Sequence, residues 1–172
     1  GQGFGAVKLT LINEVLGRAT WSSIIFGTQA PDTGNAEIIA RFGTQEQKDE
    51  YLTGLLSGEI FSTFSMTEPQ GGSDPRVFTT RAVRDGDDWI IDGLKYWSSN
   101  ASVATFFIVV AITDPDVPVH KGASTFLVPK NTPGVTIEAT HHLVGSHKHD
   151  PGHSLVRYDN VRVPASAMLG EE

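Results

Sequence analysis

The chain has 172 residues, 39% of them apolar, which is enough to form one well-sized hydrophobic core. Thirteen basic and twenty acidic residues give a net charge of -7, which disfavours binding to nucleic acid or to anionic lipid surfaces. Cysteine is absent, which excludes disulfides, thiolate metal ligands and thiol nucleophiles, and is compatible with a reducing compartment such as the cytoplasm.

The first third of the chain has the periodicity of helices. Between Lys8 and Trp21, apolar residues recur at helical spacing and predict one buried stripe, formed by Leu11, Ile12, Val15, Leu16 and Ala19. After a turn-rich break, Asn35 is predicted to cap a short helix that ends at Gly43.

The next helix has both a start and a stop signal. Residues 44–47, TQEQ, form a capping box, and Gly58 is a suitable C-terminal stop. Its predicted buried stripe consists of Tyr51, Leu52, Leu55 and Leu56.

From Ile60 onwards the pattern is that of strands. Residues 78–84 and 89–92 are predicted strands, and Asp85-Gly86 between them favours a hairpin turn. Asp92-Gly93 repeats the signal and predicts a second turn. The apolar run 104–112, ATFFIVVAI, predicts a strand that is buried on both faces.

More strands are predicted at 60–66, 123–128, 135–138 and 154–163, separated at short intervals by Pro and Gly. This pattern favours an antiparallel barrel or sandwich. We therefore expect an α+β protein with a helical part over residues 1–59 and a β-domain over residues 60–172.

The first candidate site is the stretch 64–75, FSMTEPQGGSDP. Pro69 restricts φ, and the glycine pair 71–72 lets backbone approach a ligand without an intervening Cβ. Successive N–H groups in such a loop can bind anionic oxygens, and Thr67 and Ser73 add hydroxyls. A plain turn between two strands explains the same pattern, so the loop alone does not identify a ligand.

The second candidate site is 95–100, KYWSSN. The indole of Trp97 beside hydroxyl and amide groups can pack on a flat heteroaromatic ring while its neighbours bind the edge of that ring. The alternative is a tryptophan that belongs to the core of the β-domain.

Together the two stretches resemble the flavin-binding signature of the acyl-CoA dehydrogenases. That signature reads Met/Val-Thr-Glu-Pro, small residues and Gly-Ser-Asp, followed later by Trp-x-Ser/Thr-Asn, and this chain has MTEPQGGSD at 66–74 and WSSN at 97–100. Further matches are FGTQEQK at 42–48, LLSGE at 55–59, YDNVRVP at 158–164 and LGE at 169–171. The resemblance covers nearly the whole chain.

The resemblance implies an N-terminal helical domain, a middle β-domain and a C-terminal four-helix bundle that together enclose FAD and an acyl-CoA thioester. This chain corresponds to the later helices of the first domain and to the middle domain. Carried over by motif, the implied FAD contacts are Phe64, Met66, Thr67, Gly72, Ser73, Trp97, Ser98 and Ser99. Trp97 packs beside the ring and Ser99 bonds near N5, while Ser73 and His120 are the implied contacts to the CoA part of the substrate.

The implied reaction is an α,β-desaturation, in which a carboxylate removes the Cα proton and a hydride leaves Cβ for flavin N5. The family's base comes from the C-terminal bundle, so no catalytic residue is assigned here. Glu68 is a tempting substitute, but in the motif Pro69 holds it as part of the loop, so it is not expected to be the base. We expect this chain alone to be inactive and to bind FAD weakly. The complete protein is expected to be a homo-oligomer of fatty-acid β-oxidation that passes electrons to electron-transfer flavoprotein.

Two alternatives stay open. The chain could be a short, non-catalytic subunit that holds FAD or CoA, or docks on a partner that supplies the bundle. It could also belong to a flavin monooxygenase or nitroalkane oxidase on the same scaffold.

Five histidines crowd into residues 141–153, HHLVGSHKHDPGH: His141, His142, His147, His149 and His153. Such spacing can ligate zinc or nickel. The matching loop of the acyl-CoA dehydrogenases joins two strands of the β-domain and carries no metal, so the resemblance favours a partly solvated loop without a metal.

No run approaches the roughly twenty apolar residues of a membrane helix, and residues 1–5 lack the features of a signal peptide. A cytoplasmic protein is expected. Because the chain begins with glycine, we expect it to have been cut or processed.

Overall fold

The computed structural model describes residues 3–146 and 150–170. It begins with three helices, α1 (Gly5–Leu16), α2 (Ser22–Ile25) and α3 (Asp32–Phe42). None of the helices within the described residues has the length and apolar character needed to cross a bilayer.

Helix α1 differs from its prediction. It ends at Leu16, before Gly17, rather than continuing to Trp21. The stripe predicted to be buried is largely exposed, and Val15 keeps 61% of its accessible surface. Among the described residues, the main packing partner of α1 is the short helix α2, which leaves most of this stripe uncovered.

Helix α3 begins at Asp32, so the predicted cap at Asn35 is wrong, while the predicted end at Gly43 is confirmed. Asn35 is buried inside the helix, and its Nδ2 donates to Ser62 Oγ at 2.8 Å. The Asp32 carboxylate accepts from Ser62 N at 2.7 Å and from Ser62 Oγ at 2.5 Å. Both polar side chains therefore dock α3 onto the strand that follows the helices.

The next helical stretch consists of α4 (Gln45–Gln47), a π-helical turn (Lys48–Leu52) and α5 (Thr53–Ser57). The capping box is confirmed, and Gly58 ends the stretch in the left-handed conformation with φ of 77°. Leu55 is buried, but Leu56 is 73% exposed, so its place in the buried stripe was wrong. The π turn explains this, since its wider i→i+5 spacing shifts the helical phase of the residues that follow.

Seven strands follow in one sheet: β1 (Ser62–Ser65), β2 (Arg81–Asp85), β3 (Asp88–Ser99), β4 (Phe106–Ile112), β5 (Ala123–Pro129), β6 (Val135–His141) and β7 (His153–Pro164). A one-turn helix, α6 (Val119–Gly122), precedes β5. The order is β1-β4-β2-β3-β7-β6, with β5 also paired to β4. The predicted strand segments all correspond to strands of this sheet.

The α+β class is confirmed, but the sheet is not a closed antiparallel barrel. Strands β1 and β4 pair in parallel, with Ser62 opposite Phe106, and β2 meets β4 in parallel at Arg81 and Ile112. All other pairs are antiparallel. The order ends at β1 and β6 without a pair between them among the described residues, so the sheet curls into a half-barrel.

One of the two predicted turns is correct. Asp85 pairs with Asp88 across a tight turn in which Gly86 has φ of 65°. Asp92-Gly93 instead lies inside β3, where the register with β7 shifts at a bulge. A Cβ on Gly93 would lie 2.6 Å from Thr80 Cβ. Gly93 is therefore needed because the backbone at Thr80 passes close to it. A glycine required for such a close approach looks the same in the sequence as a glycine required for a turn.

The core has two parts. The larger part lies inside the curled sheet and includes Trp89, Phe107, Phe126 and Tyr158. The second part lies between the helices and β4, where Ile39 and Leu55 pack with residues such as Phe106, Ile108, Leu127 and Leu169. The prediction that β4 is buried on both faces is confirmed, because its consecutive side chains Phe106, Phe107, Ile108 and Val109 feed both clusters.

Candidate functional site

The loop that follows β1 lies against the last part of β3. Tyr96 N donates to Thr67 O at 2.7 Å, and the hydroxyls of Ser65 and Ser98 are 2.9 Å apart. The two candidate stretches, 64–75 and 95–100, are thus joined by backbone and side-chain hydrogen bonds. The sequence alone did not supply these partners.

A buried ion pair anchors this junction. Glu68 Oε1 lies 2.8 Å from Lys95 Nζ, and Lys95 Nζ also donates to Met66 O at 2.8 Å. The Glu68 carboxylate further accepts from Thr79 N at 2.7 Å and from Thr80 N at 2.9 Å. One carboxylate therefore connects the loop, β3 and the approach to β2.

The charge of Glu68 is stabilised by these contacts. Burial raises the pKa of its carboxyl, but hydrogen bonds from Lys95, Thr79 and Thr80 outweigh burial and lower the pKa to about 2. Burial lowers the pKa of Lys95, and the bond to Glu68 opposes that shift. A carboxylate so occupied is a poor proton acceptor, which agrees with the prediction that Glu68 belongs to the loop and is not the base.

Behind the loop, a chain of buried hydroxyls connects three strands. Tyr158 OH donates to Ser65 Oγ at 2.9 Å, and Ser65 Oγ is bonded to Ser98 Oγ. Burial raises the pKa of Tyr158 above its usual range, although the bond to Ser65 opposes the shift, so the phenol stays a neutral donor. Ser98 is a predicted site residue, and Ser65 and Tyr158 lie within the matched stretches 64–75 and 158–164, but nothing in the sequence shows that their hydroxyls meet.

Trp97 is not a core residue. Its side chain is 45% exposed, whereas Trp89 of the same strand is 3% exposed and belongs to the core. Trp97 has φ of 60°, at the point where the pairing of β3 with β7 is interrupted. Its indole stacks on the Tyr96 ring at a centroid distance of 4.4 Å. The irregular backbone therefore presents a flat aromatic face at the surface of the sheet.

Ser99, the next candidate residue, is bonded to a histidine. Its Oγ lies 2.8 Å from His153 Nδ1 on β7. The imidazole of His153 also packs edge-on against Trp97, at a centroid distance of 6.1 Å. His153 was predicted only as part of the histidine cluster, since nothing in the sequence shows that it reaches Ser99.

Gly72 and Ser73 lie on the exposed part of the same loop, beyond the bridge between Glu68 and Gly71. Ser73 has φ of 61°, and a Cβ on Gly72 would meet no atom within 4 Å. Phe64 and Met66 are both partly buried near the start of the loop. The eight predicted flavin contacts thus divide into a tightly bonded group around Thr67 and Ser98 and an open group around Ser73.

His120, the other predicted substrate contact, lines a separate cavity of about 520 Å³. The same cavity is lined by Pro75, Arg76 and Phe78, which follow Ser73 in the chain. His120 and the residues at the end of the 64–75 loop therefore line one cavity, and Trp97 is not among its lining residues.

The histidine cluster is only partly described. His141 and His153 are opposite each other on β6 and β7, and His142 is exposed. His147 and His149 lie outside the described residues. Within residues 3–146 and 150–170 no group of three or more potential ligands could hold a metal ion. The prediction concerning metal stays a prediction.

The arrangement fits a planar heteroaromatic group with polar edges. The exposed indole of Trp97 offers an apolar face, and the Ser99 hydroxyl, bonded to His153, follows it at the end of β3. Thr67 and Ser98 join this end of β3 to the loop and to β1. A flavin has this combination of a flat ring and a hydrogen-bonding rim.

Comparison with known proteins points to a family of flavin enzymes. Residues 63–161 match the family model "Acyl-CoA dehydrogenase, middle domain", and residues 1–59 match "Acyl-CoA dehydrogenase, N-terminal domain". A Mycobacterium tuberculosis protein named "Probable acyl-CoA dehydrogenase FadE2" is 47% identical over 147 residues, which are 83% of this chain and 36% of that protein.

Solved structures extend the likeness to the fold. A structure described as an acyl-CoA dehydrogenase from Mycobacterium abscessus aligns with a TM-score of 0.87 and 38% identity, over 92% of this chain and 40% of the other. A glutaryl-CoA dehydrogenase from Mycobacterium smegmatis, solved in complex with FADH2, aligns with a TM-score of 0.68 and 40% identity, over 79% of this chain and 33% of the other. This chain spans well under half the length of these relatives. It belongs to the acyl-CoA dehydrogenase family.

Proposed function

We propose that this chain is the FAD-binding and acyl-CoA-binding part of a flavin-dependent acyl-CoA dehydrogenase, an oxidoreductase that desaturates the α,β bond of an acyl-CoA thioester. The observation that carries the proposal is the junction of Thr67 with Tyr96, which sets the loop beside the exposed Trp97. When bound, FAD would accept the hydride that leaves the substrate.

In this proposal, the residues of the chain bind and orient the ring. Trp97 packs beside it, Met66 and Thr67 contact its edge, and Ser98 contributes backbone. Ser99 hydrogen-bonds the rim. Phe64, Gly72 and Ser73 complete the set along the loop. Oriented donors of this kind stabilise negative charge that develops on the ring during reduction.

The substrate contacts are proposed on the other side of the loop. Ser73 and His120 would contact the CoA portion, and the cavity that His120 shares with Arg76 supports this placement. Glu68 is committed to Lys95, so we propose that the catalytic carboxylate comes from another part of the protein or from a partner. We also propose residues 1–59 as part of the helical domain and 60–172 as the middle domain.

The partners follow from the same proposal. Electron-transfer flavoprotein would reoxidise the flavin, and further copies of the chain would complete an oligomeric enzyme in the cytoplasm. Apolar side chains of α1 and α2 that are exposed in the described chain, among them Val15 and Ile25, support contacts with further protein.

An absorbance scan of the complete gene product, loaded with FAD and mixed without oxygen with octanoyl-CoA or palmitoyl-CoA, tests the proposal. Bleaching near the flavin maximum is expected. A protein that retains FAD without bleaching, and whose chemically reduced flavin reacts rapidly with oxygen, would instead select the monooxygenase alternative. FAD or CoA binding without either reaction would select the non-catalytic subunit, and failure to bind FAD would overturn the assignment.

A further inference from the structure

Ser99 and His153 occupy one cross-strand pair of β3 and β7. Their side chains are joined by the 2.8 Å contact between Ser99 Oγ and His153 Nδ1. Both residues are partly buried, and the His153 ring also contacts Trp97. The His153 imidazole is therefore in direct contact with the Ser99 hydroxyl, which the proposed function assigns to the flavin rim.

Two further hydrogen bonds fix the turn before β7 against the end of β3. Asn100 N donates to Gly152 O at 3.0 Å, and Ser102 Oγ donates to Pro151 O at 2.9 Å. A Cβ on Gly152 would lie 2.7 Å from His141 O, so the backbone passes close to β6 as well. The position of His153 relative to Ser99 is therefore held from both sides.

We propose that His153 is a positioning residue for Ser99, and that protonation of its imidazole frees the Ser99 hydroxyl to donate a hydrogen bond to the flavin rim. This rests on the proposed function. A neutral imidazole protonated on Nε2 accepts the Ser99 hydrogen at Nδ1, which leaves the hydroxyl only lone pairs to offer. The imidazolium donates from Nδ1, so the Ser99 hydrogen becomes available to an acceptor.

Several titratable groups surround His153. Asp150 lies in the turn before β7, and its pKa is lowered chiefly by the hydrogen bond from Gly152 N, with smaller contributions from His153 and His142. The other titratable groups nearby are Tyr96 on β3, His141 on β6 and His142 just after it. Asp150 supplies the negative charge among these groups.

Calorimetric titration of FAD into the flavin-free complete gene product, between about pH 5 and pH 8 where histidine ordinarily titrates, tests the inference. We expect affinity to rise roughly three- to tenfold toward the acidic end, equivalent to one hydrogen bond, with proton uptake on binding. Buffers of different ionisation enthalpy measure the proton uptake directly. This readout does not require turnover.

Four variants distinguish a positioning role of His153 from a purely structural one. His153→Gln, whose amide can still bond Ser99 but does not titrate, should bind FAD without the pH dependence or the proton uptake. Ser99→Ala should lose both as well, and His153→Ala should bind more weakly than His153→Gln. His141→Gln is the matched control, since His141 contacts the same aromatic pair from the facing strand, and it should keep the wild-type pH profile.

The outcomes are distinct. An unchanged pH profile in His153→Gln, with FAD still bound, would overturn the inference and leave the proposed function standing. Loss of the profile in His141→Gln would also overturn it, because local charge rather than the bond to Ser99 would then decide. Failure of the wild-type protein to bind FAD at any pH would overturn the proposed function and this inference together.

Discussion

Lys95 Nζ and Glu68 Oε1 lie 2.8 Å apart with both side chains wholly inaccessible to solvent. The pair joins the Gly-rich loop to β3, next to the residues proposed to hold the flavin. Each charge offsets the cost of burying the other, because either charge alone would lie without a partner in a medium of low dielectric constant.

Replacement of Lys95 by Met should therefore destabilise the protein by about 3–5 kcal/mol, since it leaves the Glu68 carboxylate buried without its cation. Urea unfolding of the variant measures the cost. The exposed pair of Arg41 and Glu37 provides the control, and Arg41→Met should cost at most about 1 kcal/mol. Equal costs for the two variants would contradict the role given to Lys95.

Stability should fall in acid because of the same carboxylate. The pKa of Glu68 is lowered from 4.5 to about 2 in the folded chain, so the folded state holds its proton less tightly than the unfolded state. The stabilisation is complete above about pH 4.5 and is lost as pH falls toward 2. Thermal unfolding across this window should show a smaller acid-induced decrease in Glu68→Gln, and identical profiles would refute the assignment.

The buried hydroxyl chain predicts an order of mutational effects. Ser65→Ala removes the central member and leaves both Tyr158 OH and Ser98 Oγ without this partner, so we expect a loss of about 1–3 kcal/mol. Tyr158→Phe keeps the bond between Ser65 and Ser98 and should cost only about 1 kcal/mol. Chemical denaturation gives both values, and the reverse order would show that the chain is not organised around Ser65.

Gly93 and Gly86 form a matched pair of glycines on the β2–β3 hairpin. A Cβ at Gly93 would lie 2.7 Å from Thr80 Cα, a backbone atom that cannot move aside cheaply, whereas a Cβ at Gly86 would meet nothing within 4 Å. Gly93→Ala should therefore lower the melting temperature substantially more than Gly86→Ala, which carries only the strain of a positive φ, about 1 kcal/mol. Similar melting temperatures would contradict the close approach of Thr80 to Gly93.

Trp97 and Trp89 should respond oppositely to truncation. Trp97→Ala should leave stability nearly unchanged but weaken FAD binding roughly two- to tenfold, the value of one aromatic contact. Trp89→Ala removes a core side chain and should cost about 3–5 kcal/mol. Unfolding curves and fluorescence titrations with FAD measure the two effects, and a Trp97 variant with full FAD affinity would contradict the proposed site.

Sequence patterns that act locally, between residues close together in the chain, predicted the secondary structure correctly in several places. The capping box at Thr44 and the stop at Gly58 lie where the sequence predicts them, and the strand predicted over 104–112 is found at Phe106–Ile112. The errors have a common cause. Asn35 and the Asp92-Gly93 pair carry the residue types of a cap and a turn, but contacts with Ser62 and Thr80, distant in sequence, determine their actual roles.

The sequence by itself determined the family and the two stretches of the candidate site, because glycine, proline and tryptophan at fixed spacing restrict the local backbone and its ligand-facing groups. Only the tertiary structure decided which side chains support them. Lys95, Tyr158 and His153 lie in stretches that the sequence singles out, but only strand pairing makes them Glu68's cation, Ser65's donor and Ser99's partner. Such partnerships arise because burial requires each polar group to be satisfied by whatever the fold places beside it.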